Sequence, residues 1–335
     1  MTIERIVLNS ERNVSLTTYI QPVGGEYGQI ERRPAVLVIP GGGYHFCSDR
    51  EAEPVAFAYL KAGYQAFILR YSLNEQSVWP NPLDDYEQAM ALIRQNANLW
   101  HVAEDRIAVV GFSAGGHLAA CAATMSKHRP NAAILGYPVI DGDCVREYQR
   151  TAPDVVAHVD GNTCPCFIFA TRTDNLVPAA NTIHLIDALY QNEVAFESHI
   201  YSNGPHGLST GDESIEGNLF CERYPGWVED SVSWLSDVLG GVTPRGLAGP
   251  RFGAKVNGNR ERTLNLDCTL AHLMGNPAAK AVLDGAAPGW DSDAPSGRAT
   301  VIRLGDNLKY MGLDESRICA IEEKLNAIEN RGKEA

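Results

Sequence analysis

The chain of 335 residues has no apolar run approaching 18 residues, so no membrane-crossing helix is expected. Its opening, Met1-Thr-Ile-Glu-Arg-Ile-Val7, lacks a basic stretch followed by an apolar segment and a small-residue cleavage site, and does not read as a secretory leader. Positive charge is scarce: 28 Lys and Arg face 41 Asp and Glu. Nucleic acid and anionic bilayers need a basic face, so neither is an expected partner. The shortage is local. Residues 1–240 hold 15 Lys and Arg against 29 Asp and Glu, while residues 241–335 hold 13 against 12, so the two portions differ in character. Metal-ligand spacing is missing as well. The nine histidines show neither H-E-x-x-H nor H-x-H, and Gly41-Gly42-Gly43 is not followed by Lys-Ser/Thr, so no metal, phosphate loop or cofactor is expected. The eight cysteines are scattered, and Cys164-Pro-Cys166 is too tight for the usual zinc or redox spacings. Cys121, Cys166 and Cys319 lie inside apolar patterns and read as small core hydrophobes. This usage suggests a reduced, cytoplasmic setting. No internal repeat or low-complexity segment is visible.

What the chain does have is ample core material, with 44% of its residues hydrophobic, in a pattern of alternating strands and helices. Ile6–Leu8 and Ser15–Ile20 read as an opening pair of strands. Ala35–Ile39, Gln65–Leu69, Ile107–Val110, Ala132–Gly136, Cys166–Ala170 and Ala195–Tyr201 read as buried strands. Helices are expected over Glu51–Ala62, which Gly63 stops, and over Pro82–Asn98, Thr182–Gln191 and Trp227–Leu239. Such alternation predicts an α/β fold: a mostly parallel, doubly wound sheet that binds ligands at the carboxyl ends of its strands. Residues 1–240 form the expected main domain, and residues 241–262, rich in Gly, Pro, Arg and Asn, read as a linker. Residues 263–335 read as a small helical module. Leu264–Met274 and Pro277–Leu283 suggest short helices, and Asp314 caps a last one with Ile318, Ile321, Leu325 and Ile328 in line.

The chemistry-bearing stretch is Gly111-Phe112-Ser113-Ala114-Gly115-Gly116-His117, between the strand ending at Val110 and the small-residue helix Leu118–Met125. Strand, G-x-S-x-G, helix is the setting of a nucleophilic serine on a tight turn. Gly111 and Gly115 leave room where a Cβ would crowd strand against helix. A serine hydroxyl is a weak nucleophile and needs a base with an orienting group behind it. The chain order in such sheets is Ser, then Asp or Glu, then His. His206, in Gly204-Pro-His-Gly207 after the last strand, is the candidate base, with His117 and His45 as rivals. Asp174, in the loop after Cys166–Ala170, is the candidate acid, with Asp141 and Asp160 as fallbacks. An oxyanion needs backbone donors. Ala114 supplies one, and Gly42 or Gly43 in Pro40-Gly41-Gly42-Gly43 the other.

Six blocks in order carry a resemblance: Pro40-Gly-Gly-Gly-Tyr44, Leu69-Arg-Tyr-Ser72, Gly111–Leu118, Leu135-Gly-Tyr-Pro-Val139, Asp174-Asn-Leu-Val-Pro178 and Gly204-Pro-His-Gly207. Over roughly residues 15–240 the chain resembles α/β-hydrolase esterases of the acetyl esterase or acetylxylan esterase-like kind. The resemblance implies an acyl-serine mechanism on Ser113, Asp174 and His206, and deacetylation of acetylated sugars. It departs from the broader lipase-like pattern at Pro40, where His is usual. Leu266–Leu270, Asn276–Leu283 and Pro288-Gly289 resemble a small helical module at the ends of some bacterial glycosidases.

The expected function is therefore a serine esterase removing acetyl groups from carbohydrates such as xylo-oligosaccharides. The alternatives are a feruloyl-type esterase, amidase or small peptidase on the same triad, or an idle carbohydrate-binding or scaffold protein. Tyr44, His45, Trp79, Tyr137 and Trp227 are candidates for lining the substrate pocket. The expected partner is a small or oligosaccharide ester, with homo-oligomers left open.

Overall fold

The computed structural model describes residues 1–212, 221–253, 255–292 and 298–330. It divides into two units, Met1–Ala254 and Lys255–Ala335.

The first unit is built on an eight-stranded sheet. Its strands are β1 (Thr2–Asn9), β2 (Val14–Ile20), β3 (Arg33–Ile39), β4 (Gln65–Arg70), β5 (Val102–Phe112), β6 (Ala132–Gly136), β7 (Cys166–Thr171) and β8 (Phe196–Tyr201). Their order is β1-β2-β4-β3-β5-β6-β7-β8. β1 and β2 pair antiparallel, as do β2 and β4; every other pairing is parallel. The central strands carry continuous apolar runs, such as Ala35–Ile39, Ile107–Val110 and Ala132–Leu135, because both faces are covered there. Successive residues of β3 alternate between two cores. Ala35, Leu37 and Ile39 pack with α2 (Asn81–Gln95), α3 (Ser113–Met125) and α5 (Ala180–Gln191). Val36 and Val38 pack with α1 (Glu53–Lys61) and α6 (Trp227–Leu239). The two-residue period of a strand thus feeds both layers.

Three differences from the sequence expectation matter. The helix expected from Glu51 begins at Glu53, and Asp49–Glu51 is a single 3-10 turn that buries Glu51. A short helix, α4 (Gly142–Tyr148), follows β6 with no apolar stripe long enough to announce it. The expected linker at 241–262 is not uniform: β9 (Val242–Thr243) pairs with β10 (Gly246–Leu247), and the division between units falls after residue 254.

The second unit is helical: α7 (Leu270–Met274), α8 (Pro277–Ala286), α9 (Leu304–Tyr310) and α10 (Glu315–Asn326). Its core gathers residues such as Leu264, Leu273, Leu283, Trp290, Leu308 and Leu325. Thr269, Asn276 and Asp314 cap three of the helices through side-chain acceptors. Cys319 corrects an expectation: it is exposed, because α10 turns Ile318, Ile321 and Leu325 inward and leaves position 319 off that stripe.

Candidate active site

The parallel strands β3, β5, β7 and β8 end on one edge of the sheet, and each delivers a piece of the site there. β5 runs directly into α3 with Ser113 as the first helical residue, at φ +51°. A non-glycine residue in this left-handed region costs about 1–3 kcal/mol. The elbow is that tight because backbone crosses backbone. A Cβ on Gly115 would run into the carbonyls of Ile39 and Pro40, and one on Gly111 into the carbonyl of Gly115.

His206 Nε2 lies 2.9 Å from Ser113 Oγ, and His206 Nδ1 lies 2.7 Å from Asp174 Oδ2. A carboxylate only accepts, so Nδ1 carries the proton and Nε2 is left to accept from the serine hydroxyl. Asp174 is itself fixed, since its Oδ1 accepts from the Leu176 and Val177 N–H groups at 2.9 and 2.8 Å. The two loops are tied together. Thr171 Oγ1 donates to the Gly204 carbonyl at 2.7 Å, and the His206 N–H donates to Asn175 Oδ1 at 3.2 Å. The Asp174 side chain is fully buried and that of His206 only 11% exposed, so this contact lies largely out of water.

The glycine loop after β3 lies against the elbow. The Gly41 N–H donates to Glu51 Oε2 at 2.8 Å, whereas the Gly42 and Gly43 N–H groups donate to nothing among the described residues. Gly42 and Gly43 have φ of +129° and +63°, values that favour glycine. Ala114 sits in the first turn of α3, where N–H groups have no helical acceptor. Gly42, Gly43, His45, Ser113 and His206 all line one pocket of ≈ 280 Å³.

Of the rival residues, His45 borders the same pocket, while His117, Asp141 and Asp160 are engaged elsewhere. His117 is buried, with Nε2 donating to the Pro153 carbonyl at 2.9 Å and Nδ1 accepting from the Tyr44 hydroxyl at 2.7 Å. Burial disfavours its charge and lowers its pKa to about 4. Asp141 pairs with His184 at 2.9 Å and Asp160 with Arg129 at 3.4 Å.

The pocket-lining expectation needs correction. Tyr44, Tyr137 and Trp227 are buried. The Tyr44 hydroxyl is held by His117, that of Tyr137 by Glu51, and the Trp227 indole N–H donates to the Ser209 carbonyl. Trp79 is half-buried with its ring edge on His117, and is not among the pocket residues. Of the five, only His45 lines the pocket. The walls come instead from Phe46, Arg50, Glu51, Tyr148 and Leu176, which sequence reasoning did not single out. Glu51 reads as an ordinary acidic helix start, and Tyr148 belongs to the unannounced α4.

Comparison with known proteins places the fold. The sequence profile of the BD-FAE family matches residues 26–155, a span that includes the glycine loop and Ser113 and stops before Asp174 and His206. The structure of MGS-M1, an alpha/beta hydrolase enzyme from a Medee basin deep-sea metagenome library, is 40% identical with a TM-score of 0.65, covering 70% of this chain and 97% of that one. An acetyl ester-xyloside bifunctional hydrolase from Caldicellulosiruptor lactoaceticus is 26% identical with a TM-score of 0.61, covering 70% and 95%. An acetylxylan esterase of Xylanibacter ruminicola is 30% identical over 228 residues, 61% of this chain. The match takes in 34% and 45% of the lengths of the first curated relatives.

With a mostly parallel sheet, a strained serine elbow and this kinship, the chain belongs to the α/β-hydrolase family. The relatives it matches within that family include a carboxylesterase of Lactobacillus plantarum and the acetylxylan esterase named above.

Proposed function

We propose that this protein is a serine esterase that removes acetyl groups from acetylated carbohydrates, with Ser113 as nucleophile, His206 as base and Asp174 as orienting acid. The carrying observation is the unbroken chain from Asp174 through His206 to Ser113, at 2.7 and 2.9 Å. His206 Nε2 takes the hydroxyl proton as Ser113 Oγ attacks the acetyl carbonyl. Asp174 holds the tautomer and stabilises the imidazolium that forms. The Ala114 N–H and the N–H of Gly42 or Gly43 receive the oxyanion, each such donor being worth about 10²–10³ in turnover. His206 then protonates the departing sugar hydroxyl and activates the water that releases acetate.

Support for a short acyl group comes from the pocket, ≈ 280 Å³ and walled by Phe46, Tyr148 and Leu176. Between β6 and β7 the helical elements are only the short α4 and one 3-10 turn. His45 and Arg50 at the same pocket offer polar contacts to a hydroxyl-rich leaving group. The relatives named acetylxylan esterase and acetyl ester-xyloside hydrolase point to the same substrate class.

The test is a substrate profile. Acetate release from acetylated xylo-oligosaccharides is expected to exceed turnover of ferulate esters and of amides of similar size. A protein that prefers ferulate or amide substrates, or leaves acetylated oligosaccharides untouched, overturns the acetyl-carbohydrate assignment.

A further inference from the structure

We propose that Glu51 is a positioning residue of this site, its carboxylate fixing the oxyanion loop through Gly41 and the base through Tyr137. The inference rests on the esterase reading of Ser113 and extends it to a group that no chain-order rule supplies.

Glu51 is 3% exposed, yet it borders the pocket that holds Ser113 and His206. Both of its oxygens are engaged. Oε2 accepts the Gly41 N–H at 2.8 Å, and Oε1 accepts the Tyr137 hydroxyl at 2.6 Å. Gly41 lies between this carboxylate and the elbow, because a Cβ there would stand 2.8 Å from Glu51 Oε2 and 2.9 Å from Ser113 Cβ. Tying the Gly41 N–H back to Glu51 sets the plane of the peptides that follow it. Gly42 and Gly43 are then left as the loop's available donors.

The second arm reaches the base. Tyr137 follows β6 at φ +34°, and its ring meets the His206 ring edge-on, 4.9 Å between centroids. The Tyr137 oxygen also accepts the Ser209 N–H at 2.9 Å, three residues beyond His206. Ser209 Oγ donates in turn to the Arg50 carbonyl at 2.5 Å. The turn carrying Glu51 and the loop carrying His206 are thus joined at two points.

A carboxylate buried without donors would be costly, and even with two donors it is weak as pure stabilisation. Burial raises the carboxyl's pKa above its usual range, and the Tyr137 and Gly41 hydrogen bonds and nearby His206 offset only part of that rise. An anionic Glu51 supplies negative charge beside the imidazolium that forms as Ser113 is acylated.

The experiment compares Glu51→Gln, Tyr137→Phe and Glu51→Ala with wild type on p-nitrophenyl acetate. It follows kcat, KM, thermal midpoint and the rate of phosphonylation by an aryl phosphonate, whose adduct places an oxygen in the oxyanion hole. Glu51→Gln keeps the size and an acceptor and loses the charge. Its kcat and phosphonylation rate are expected to fall about 10–100-fold with KM within about twofold. Tyr137→Phe is expected to lose about 5–10-fold in the same two rates, and Glu51→Ala about 10²–10³-fold. A folded Glu51→Gln with wild-type kcat and phosphonylation rate overturns the proposal and leaves Glu51 a structural brace. If Glu51→Ala does not fold, the other two variants decide. Ser113→Ala is run alongside: hydrolysis surviving in it overturns the esterase reading, whereas an inactive Ser113→Ala with a fully active Glu51→Gln overturns only the role of Glu51.

Discussion

The two units handle buried polar groups differently. In the second unit Asn259, Thr269 and Asn307 are buried, and their bonds close local structure. Asn259 and Thr269 bond each other, and Asn307 donates to the Trp290 carbonyl. In the first unit the buried polar groups include members of a cluster at one edge of the sheet: Ser113, Glu51 and Ser209, with Asp174 and Tyr137 completing it. Desolvating so many titratable groups gains little stability and constrains geometry strongly. The second unit's buried bonds span 10 and 17 residues of sequence. Those around Ser113 bring together segments 32 and 93 residues apart, as Asp174, His206 and Ser113 are joined.

The sharpest way to break this contrast is at the elbow. Ser113→Ala is expected to lower ester hydrolysis by about 10⁴-fold or more, and Asp174→Asn, which favours the wrong imidazole tautomer, by about 10³–10⁴-fold. Both are read as initial rates on p-nitrophenyl acetate with circular dichroism as the folding control. In the second unit, Leu283→Ala removes a fully buried side chain. It is expected to cost that unit about 2–5 kcal/mol in urea unfolding while kcat stays within about twofold of wild type. A large loss of kcat there would erase the division of labour.

A smaller effect tests the first unit's buried polar groups against pH. The pKa of His117 is depressed to about 4 in the folded chain, so the unfolded state binds the extra proton first as pH falls. The associated stability is complete above about pH 6.5 and is lost as pH falls toward 4, to a total of about 3 kcal/mol. His117→Asn should flatten the slope of unfolding free energy between pH 6.5 and 4.5. An unchanged slope would show that His117 does not titrate with unfolding. The smallest expected effect is at the surface of the second unit: Cys319→Ser should alter stability by less than about 0.5 kcal/mol. A larger shift in the urea midpoint would return position 319 to a core.

Much of the architecture was legible because it rests on local rules. The apolar runs at Ala35–Ile39, Cys166–Ala170 and their neighbours lie in strands, and the chain order after Ser113 picks out Asp174 and His206, which lie within hydrogen-bonding distance of one another, with His206 also in reach of the serine. What escaped depends on three-dimensional closure. Glu51 turns inward only because a 3-10 turn precedes α1 and aims it at Gly41 and Tyr137. Tyr44, Tyr137 and Trp227 carry polar handles that suggest a ligand surface, but each handle finds a partner inside the protein. Tyr148 reaches the pocket from α4, a seven-residue helix too short to show a periodic face. In α10, a one-residue step turned Cys319 outward beside an inward Ile318.

The central claim is that Ser113, poised by His206 and Asp174, is the group that takes the acyl unit. Incubation with an aryl phosphonate followed by intact-mass and peptide mapping tests it directly. The account predicts one adduct per chain, on the peptide carrying Ser113, complete loss of esterase activity in step with its formation, and at least about 10³-fold slower labelling in His206→Ala. Labelling elsewhere, or hydrolysis that persists in fully labelled protein, would contradict it.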